Sequence, residues 1–379
     1  MEHRRSKNWL NELSKKLEYI PAVIGSNYQP LATCWSVQNT SCLLAEREYH
    51  RGVYIIKYGV PVFIVAGGWC RRRGARCNDL FECSSFATEY SEVRRDCEWS
   101  ARLHFSMLAT RAGEAMYIVG GDDGLVKSDV WVSRNYGTSF SCQTPQAPWG
   151  PRVDFASALL GESILVICGG NSVDFFRDVW ISEDGGKRWD CVQSKSPWRK
   201  RGGSSLIVWK DEELLLIGGY NEVGAMDDVW SSVDCGKSWS RKAARTPWKP
   251  RHSFNLICDS VTMELLILGG TGSEGQKFND AWASLDGGVT WIPRRTVANY
   301  YQPPVIYGTE EGSVICVGNR MRAVSESDLS FVKKDCVILL HVGRRIQKIP
   351  REVWIGDVLA FAVDVRQLWK RSNADWNRL

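Results

Sequence analysis

The sequence predicts an all-β fold: a six-bladed β-propeller of four-stranded antiparallel blades, with short helical extensions at its N- and C-terminal ends. Three landmarks sharing one period carry that expectation. Glycine pairs begin at Gly67, Gly120, Gly169, Gly218 and Gly269, at intervals of 53, 49, 49 and 51 residues. An aromatic residue follows each pair in step, at Phe81, Trp131, Trp180, Trp230 and Trp282. An arginine closes each unit, at Arg47, Arg102, Arg152, Arg201 and Arg251. A string that returns at a fixed interval is architecture before it is chemistry.

Taken in chain order, residues 1–29 form a helical segment in which Trp9, Leu10, Leu13 and Leu17 share one face and Pro21 stops the helix. Residues 30–340 form the propeller. Its first stretch, "PLATCWSVQNTSCLLAEREYHR", holds spare strand material ending at the first closing arginine. It is expected to complete the last blade, because a closed ring leaves no sheet edge open. Each unit then carries an unbroken apolar run before its glycine pair: "VFIVA", "MYIV", "ILVIC", "LLLI" and "LLIL". Unbroken hydrophobicity marks a strand covered on both faces. A shorter strand precedes it ("SSLIVW", "SFNLIC"). After the glycines come a variable loop, a third strand at D-V-W, a Gly-rich turn, and a fourth strand with Trp189, Trp239 or Trp291. The sixth unit is a weak copy, with Gly318 alone for the pair and Asp328-Leu329 for D-V. Seven blades is the alternative count. Residues 341–379 read as a helical tail with Pro350 at its opening and Val353, Trp354, Val358, Leu359, Phe361 and Ala362 on its apolar face.

The glycine pair after an apolar strand, the later D-V-W and the following tryptophan resemble kelch repeats, from about Arg47 to Asp335. A second signature overlays them. "SEDGGKRW", "SVDCGKSW" and "SLDGGVTW" are similar to the Asp-box of sialidases and other propellers, S-x-D-x-G-x-x-W, and "SRNYGTSF" is a worn copy. The resemblance implies hairpin turns in which Asp184, Asp234 and Asp286 bond turn amides while glycine supplies positive φ. Gly120, Gly121, Gly169, Gly170, Gly218, Gly219, Gly269 and Gly270 are expected to be structural, letting the chain turn and blades approach. Trp131, Trp180, Trp230 and Trp282 are expected to be structural too, filling the wedge between blades. A kelch-type propeller implies a non-catalytic platform for protein partners. The tail, opening Ile349-Pro350-x-Glu352, is faintly similar to an F-box, which would make the chain a ubiquitin-ligase substrate receptor.

Antiparallel alternation sorts the loops. Post-glycine loops and Pro-Trp-x-x-Arg connections share one rim, and the Asp-box turns lie on the other. The first rim is basic and aromatic: Arg71, Arg72, Arg73 and Arg76 in "GGWCRRRGARC", with Trp198, Arg199, Lys200, Trp248 and Lys249 at the corners. Arg102, Arg152, Arg201 and Arg251 are expected either to ring the channel mouth and receive an acidic or phosphorylated segment, or to pair within the repeat.

Composition narrows the function classes. The net charge of +5 is too mild to indicate nucleic acid, and the start "MEHRRSKNWLNEL" lacks a signal-peptide apolar run. Thirteen scattered cysteines in such a chain are expected to be reduced thiols of a cytoplasmic or nuclear protein. No membrane span is expected, and a monomer is the favoured assembly. Three enzyme-like constellations were weighed: a sialidase arginine cluster, a galactose-oxidase-like metal site at His50, His104 and His252, and zinc at Cys70, Cys77, Cys83 and Cys97. The recurrence of the arginines and histidines beside each closing position, and the absence of close C-x-x-C pairs, argue against them. The expectation is no catalysis, no metal and no cofactor. Whether the axial channel holds a small ligand is left open.

Overall fold

In the computed structural model, the described residues are 34–39, 47–70, 73–84, 90–258, 263–278, 280–294, 298–300, 305–308, 313–318, 321–323 and 336–341. Residues 34–39 and those beyond 294 are described by backbone alone. The helical N-terminal segment, the tail with its F-box-like opening, and Arg71 and Arg72 lie outside the described residues.

The fold is an all-β propeller of antiparallel blades. Blade 1 comprises Arg51–Lys57, Val60–Cys70, Ala75–Ser84 and Tyr90–Arg94, with Arg47–Glu48 paired onto the end of its second strand. Blade 2 comprises Ser106–Ala109, Met116–Asp122, Val126–Ser133 and Ser141–Thr144. Blade 3 is Ala156–Leu160, Ile164–Cys168, Val179–Ser182 and Asp190–Gln193. Blade 4 is Ser205–Trp209, Glu213–Ile217, Val229–Ser232 and Ser240–Ala243. Blade 5 is Asn255–Cys258, Leu265–Leu268, Ala281–Ser284 and Ile292–Arg294. In each, consecutive strands pair as neighbours. The first strands of successive blades lie side by side around the axis.

The repeat therefore builds five blades, not the expected six. The physical reason is visible in the sequence after Arg294: it offers a single Gly318, no D-x-W and no closing arginine, so the interactions described below have no partners there. That region instead supplies strands to a further antiparallel sheet, ordered Val305–Gly308, Ser313–Gly318, Cys336–His341, Cys34–Asn39. Its outer pair runs in register from Cys34 opposite His341 to Asn39 opposite Cys336. Strand Val305–Gly308 lies beside both Asn255–Cys258 and Arg51–Lys57.

The core is a series of apolar wedges between blades. The second strands are buried throughout their apolar runs, as their unbroken hydrophobicity requires. The D-x-W tryptophans, half-buried, pack against these inter-blade clusters as expected. They share the wedges with the corner residues Trp99, Trp149, Trp198 and Trp248, which are almost completely buried. Each of the last three meets the turn tryptophan of the next blade edge-on: Trp149 and Trp189 at 6.0 Å, Trp198 and Trp239 at 6.2 Å, Trp248 and Trp291 at 6.0 Å. Between blades 1 and 2 the worn turn copy substitutes Phe140, 6.2 Å from Trp99. Rings of this size bury about 150–250 Å² each, and the edge-to-face arrangement suits their quadrupoles.

The glycine pairs sit where a side chain has no room. Gly218 and Gly219 take φ of +57° and +107°. A Cβ on Gly218 would stand 2.8 Å from the Arg251 carbonyl oxygen, which belongs to the next blade. The Gly219 amide donates to that same carbonyl at 3.0 Å, so the pair is a backbone-to-backbone seam between blades.

Candidate functional site

Each closing arginine enters the same clamp. Arg102 donates to both carboxylate oxygens of Asp129 at 2.7 and 2.8 Å and to the Gly120 carbonyl at 2.8 Å. Arg152 repeats this on Asp178 and Gly169, Arg201 on Asp228 and Gly218, and Arg251 on Asp280 and Gly269. Arg47 does the same on Asp79 and Gly67. The carboxylate is the aspartate of D-x-W, and the tryptophan indole N–H donates to it: Trp131, Trp180, Trp230 and Trp282 at 2.7–2.8 Å. The corner tryptophan lies under the guanidinium at 5.6–5.9 Å. One motif thus satisfies a planar cation on its edge and its face.

This geometry decides among the sequence candidates. Arg102, Arg152, Arg201 and Arg251 are at most 1% exposed, and so are Trp198 and Trp248. Their charge is neutralised inside the repeat, so the expectation that they ring a basic mouth is corrected in favour of pairing within the repeat. Arg73 is exposed and reaches Asp79 at 3.5 Å, and Arg76 pairs with Asp122 at 3.3 Å. Arg199, Lys200 and Lys249 remain on the surface, with Lys200 paired to Asp174.

The S-x-D-x-G-x-x-W segments are tight hairpin turns. In blade 4, Ser232 Oγ donates to Asp234 at 2.7 Å and receives the Gly236 amide at 2.8 Å, while Asp234 accepts the Ser238 amide at 2.9 Å. Asp184 and Asp286 are held in the same way. Burial works to raise these three carboxyls, but the amide and hydroxyl donors outweigh it and hold them below the ordinary carboxylate value. The turns are occupied with their own geometry.

The loop rim has two surfaces. Outside, the post-glycine loops present aliphatic tips: Leu125, Val173 and Val223 are 71%, 103% and 77% exposed. On the opposite rim Val233 and Leu285 are also exposed, but both occupy the same motif position, between Ser and Asp of the turn. The three tips sit in loops of different sequence, and the corners after blades 3 and 4 carry Arg199, Lys200 and Lys249.

Inside, at the entry to the first strands, lies a polar belt that includes His104 and His252, two of the three histidines weighed above as metal ligands, with partners the sequence did not indicate. The second residue after each closing arginine takes positive φ: Tyr49, His104, Asp154, Gly203 and Ser253, at +50° to +60°. His104 Nδ1 donates to Asp154 at 3.0 Å. Asp154 also accepts from Tyr220 Oη at 3.3 Å and from Asn171 Nδ2 at 3.4 Å. Tyr220 stacks on His252 at 4.3 Å, and Tyr49 stacks on His104 at 4.5 Å. Gly203 leaves the space through which Tyr220 reaches back, since a Cβ there would stand 3.1 Å from its ring. One contiguous chain of contacts therefore crosses five blades. Burial would raise Asp154, but His104 first, then Arg51 and Asn171, outweigh it and keep the carboxyl below its ordinary value. Burial lowers His252, with Lys277 adding to that and Asp154 opposing it.

Other chemistry is confined. Among the described residues no group of three or more His, Cys, Asp or Glu is arranged to hold a metal. The eight cysteines whose side chains are described are free thiols, and burial pushes those of Cys168 and Cys97 up to about 12. Among the described residues no helix is long and apolar enough to cross a membrane.

A family model described as the DUF6242 beta propeller domain matches residues 210–364, less than half of the chain. No curated protein matches the chain. The match agrees with the fold class seen here, and neither the kelch resemblance nor the Asp-box family follows from it.

Proposed function

We propose that this β-propeller is a non-catalytic scaffold that docks a protein partner on its loop rim. The observation that carries the reading is the trio Leu125, Val173 and Val223, exposed on loops of different sequence in consecutive blades. Apolar tips on consecutive blades, with Arg199, Lys200 and Lys249 exposed at the corners after blades 3 and 4, suit a partner segment that offers apolar contact and negative charge. Supporting it, much of the remaining repeat machinery is occupied in holding the blades: the clamp carboxylates and the turn aspartates are bonded within the repeat, and the corner tryptophans are buried.

The experiment is quantitative affinity capture with the full chain and two variants. Leu125→Asp with Val173→Asp and Val223→Asp removes the tips. Val233→Asp with Leu285→Asp alters the opposite rim. Loss of a common partner set from the first variant and its retention in the second is the expected result. Identical partner sets in all three would end the reading.

A further inference from the structure

We propose that the turn of blade 5, on the rim opposite the variable loops, is the docking site for this chain's own C-terminal segment, residues 350–371. Blades 2 to 5 share one turn motif, but what it shows to solvent differs. Between the motif's Ser and its Asp or Asn stand Arg134, Glu183, Val233 and Leu285, in blade order. After its last glycine stand Thr138, Lys187, Lys237 and Val289, and after its closing aromatic Ser141, Asp190, Ser240 and Ile292. All twelve side chains are exposed. Blade 5 alone of these four is apolar at all three positions, with Leu285, Val289 and Ile292 61%, 48% and 41% exposed. The turn itself does not ask for this, since three other copies fold with polar residues there. A cluster of apolar side chains that the local fold does not require marks a surface to be covered.

The place where the described chain ends names the occupant. Strand Met321–Ala323, just after Gly318, pairs with Ala298–Tyr300, which follows the outer strand of blade 5. That outer strand runs from the turn rim to the loop rim, so Gly318 lies toward the loops and Ser313 toward the turns. His341 stands opposite Ser313. The same sheet's strand Val305–Gly308 lies beside the first strand of blade 5. The described chain therefore ends on the turn rim, one sheet away from Leu285. Beyond it the sequence supplies the complement. Trp354, Val358, Phe361, Val365 and Trp369 fall at i, i+4, i+7, i+11 and i+15, the spacing of one helical stripe. Pro350 suits the first turn of such a helix. A helix over 350–371 would be about 30 Å long, and residues 342–349 reach up to about 26 Å when extended. Packed sheets lie about 10 Å apart, so blade 5 is within reach, with Val233 of blade 4 beyond it. The inference does not rest on the scaffold reading, because it concerns the other rim and involves no partner protein.

The test places a photo-cross-linker on this turn in the full, purified chain. Val289→p-benzoylphenylalanine suits it, because the position is exposed and the bond from Ser284 to Asp286 that shapes the turn is untouched. Isotopically light and heavy chains are mixed, irradiated and digested, and the joined peptides are identified by mass. The expected product joins the turn to residues 350–371, with both halves light or both heavy. Phe361→Asp with Val365→Asp in the tail should abolish that product while the unfolding midpoint in urea stays close to that of the parent. Leu125→p-benzoylphenylalanine, on the loop rim, should not form it. Cross-links to residues 1–33 instead, products that mix light and heavy chains, no product at all, or one that survives the tail substitutions would each overturn the proposal.

Discussion

A single guanidinium–carboxylate pair does most of the work that a repeat consensus records. The arginine is buried whether or not its aspartate is present, so removing the partner strands a charge. Asp178→Ala is expected to cost about 3–5 kcal/mol, measured as a loss of unfolding free energy in urea, whereas Lys200→Ala on the exposed pair with Asp174 should leave the urea midpoint nearly unchanged. The clamps also set the acid limit. Burial alone would raise Asp228 and Asp280, but Arg201 and Arg251 respectively, helped by the indole N–H, bring both below the ordinary value. A carboxyl lowered on folding contributes stability that is complete above its unfolded value and is lost as pH falls through the folded one. Urea midpoints should therefore hold from neutrality down to about pH 4 and fall below it, and Asp228→Asn should flatten that acid limb while lowering the plateau.

Between residue and disc, the element that matters is the corner. Trp198 packs against Leu214 and Leu216 of one blade and Val166 and Val179 of the other, in one buried cluster. Trp198→Ala should cost about 3–5 kcal/mol, and Trp198→Phe distinctly less, read from thermal or urea unfolding. The turn element makes a different demand. Gly186 takes φ of +88°, and a Cβ there would stand 2.8 Å from Val130 of the preceding blade, so Gly186→Ala should destabilise by strain as well as contact, lowering the urea midpoint more than Gly161→Ala at an open turn. Much of this was legible: the fifty-residue interval, the strand runs and the glycine pairs each mark one backbone requirement. The partner of each arginine was less legible, because D-V-W reads as strand; the near-constant separation of Arg102 from Asp129 and Arg201 from Asp228, both 27 residues, was the available signal. The belt was legible only in part: His104 and His252 stand out near the closing arginines, but their partners do not. Its column holds Tyr49, His104, Asp154, Gly203 and Ser253, a position where the backbone repeats and the side chain does not, and a search for recurrence passes over it.

For the whole molecule, the strand Cys34–Asn39 forms the outer edge of a sheet whose other three strands come from residues beyond 304. Sequence-distant pairing of this kind ties chain regions that no clamp joins. Deleting residues 1–39 should lower the melting temperature and raise light scattering on heating, because Cys336–His341 becomes an open edge. A chain with residues 1–33 alone removed, which keeps that strand, should hold its melting temperature closer to that of the intact chain.

The two kinds of adhesive divide by territory. Among the described residues each arginine clamp closes within its own blade, Arg152 on Asp178 or Arg201 on Asp228, whereas the tryptophans meet across the boundary. A unit cut just before its arginine is thus electrically self-contained. Tandem duplication or loss at that seam leaves no orphaned charge, only an apolar surface that any neighbouring copy can cover, which gives such rings a route to change circumference during descent.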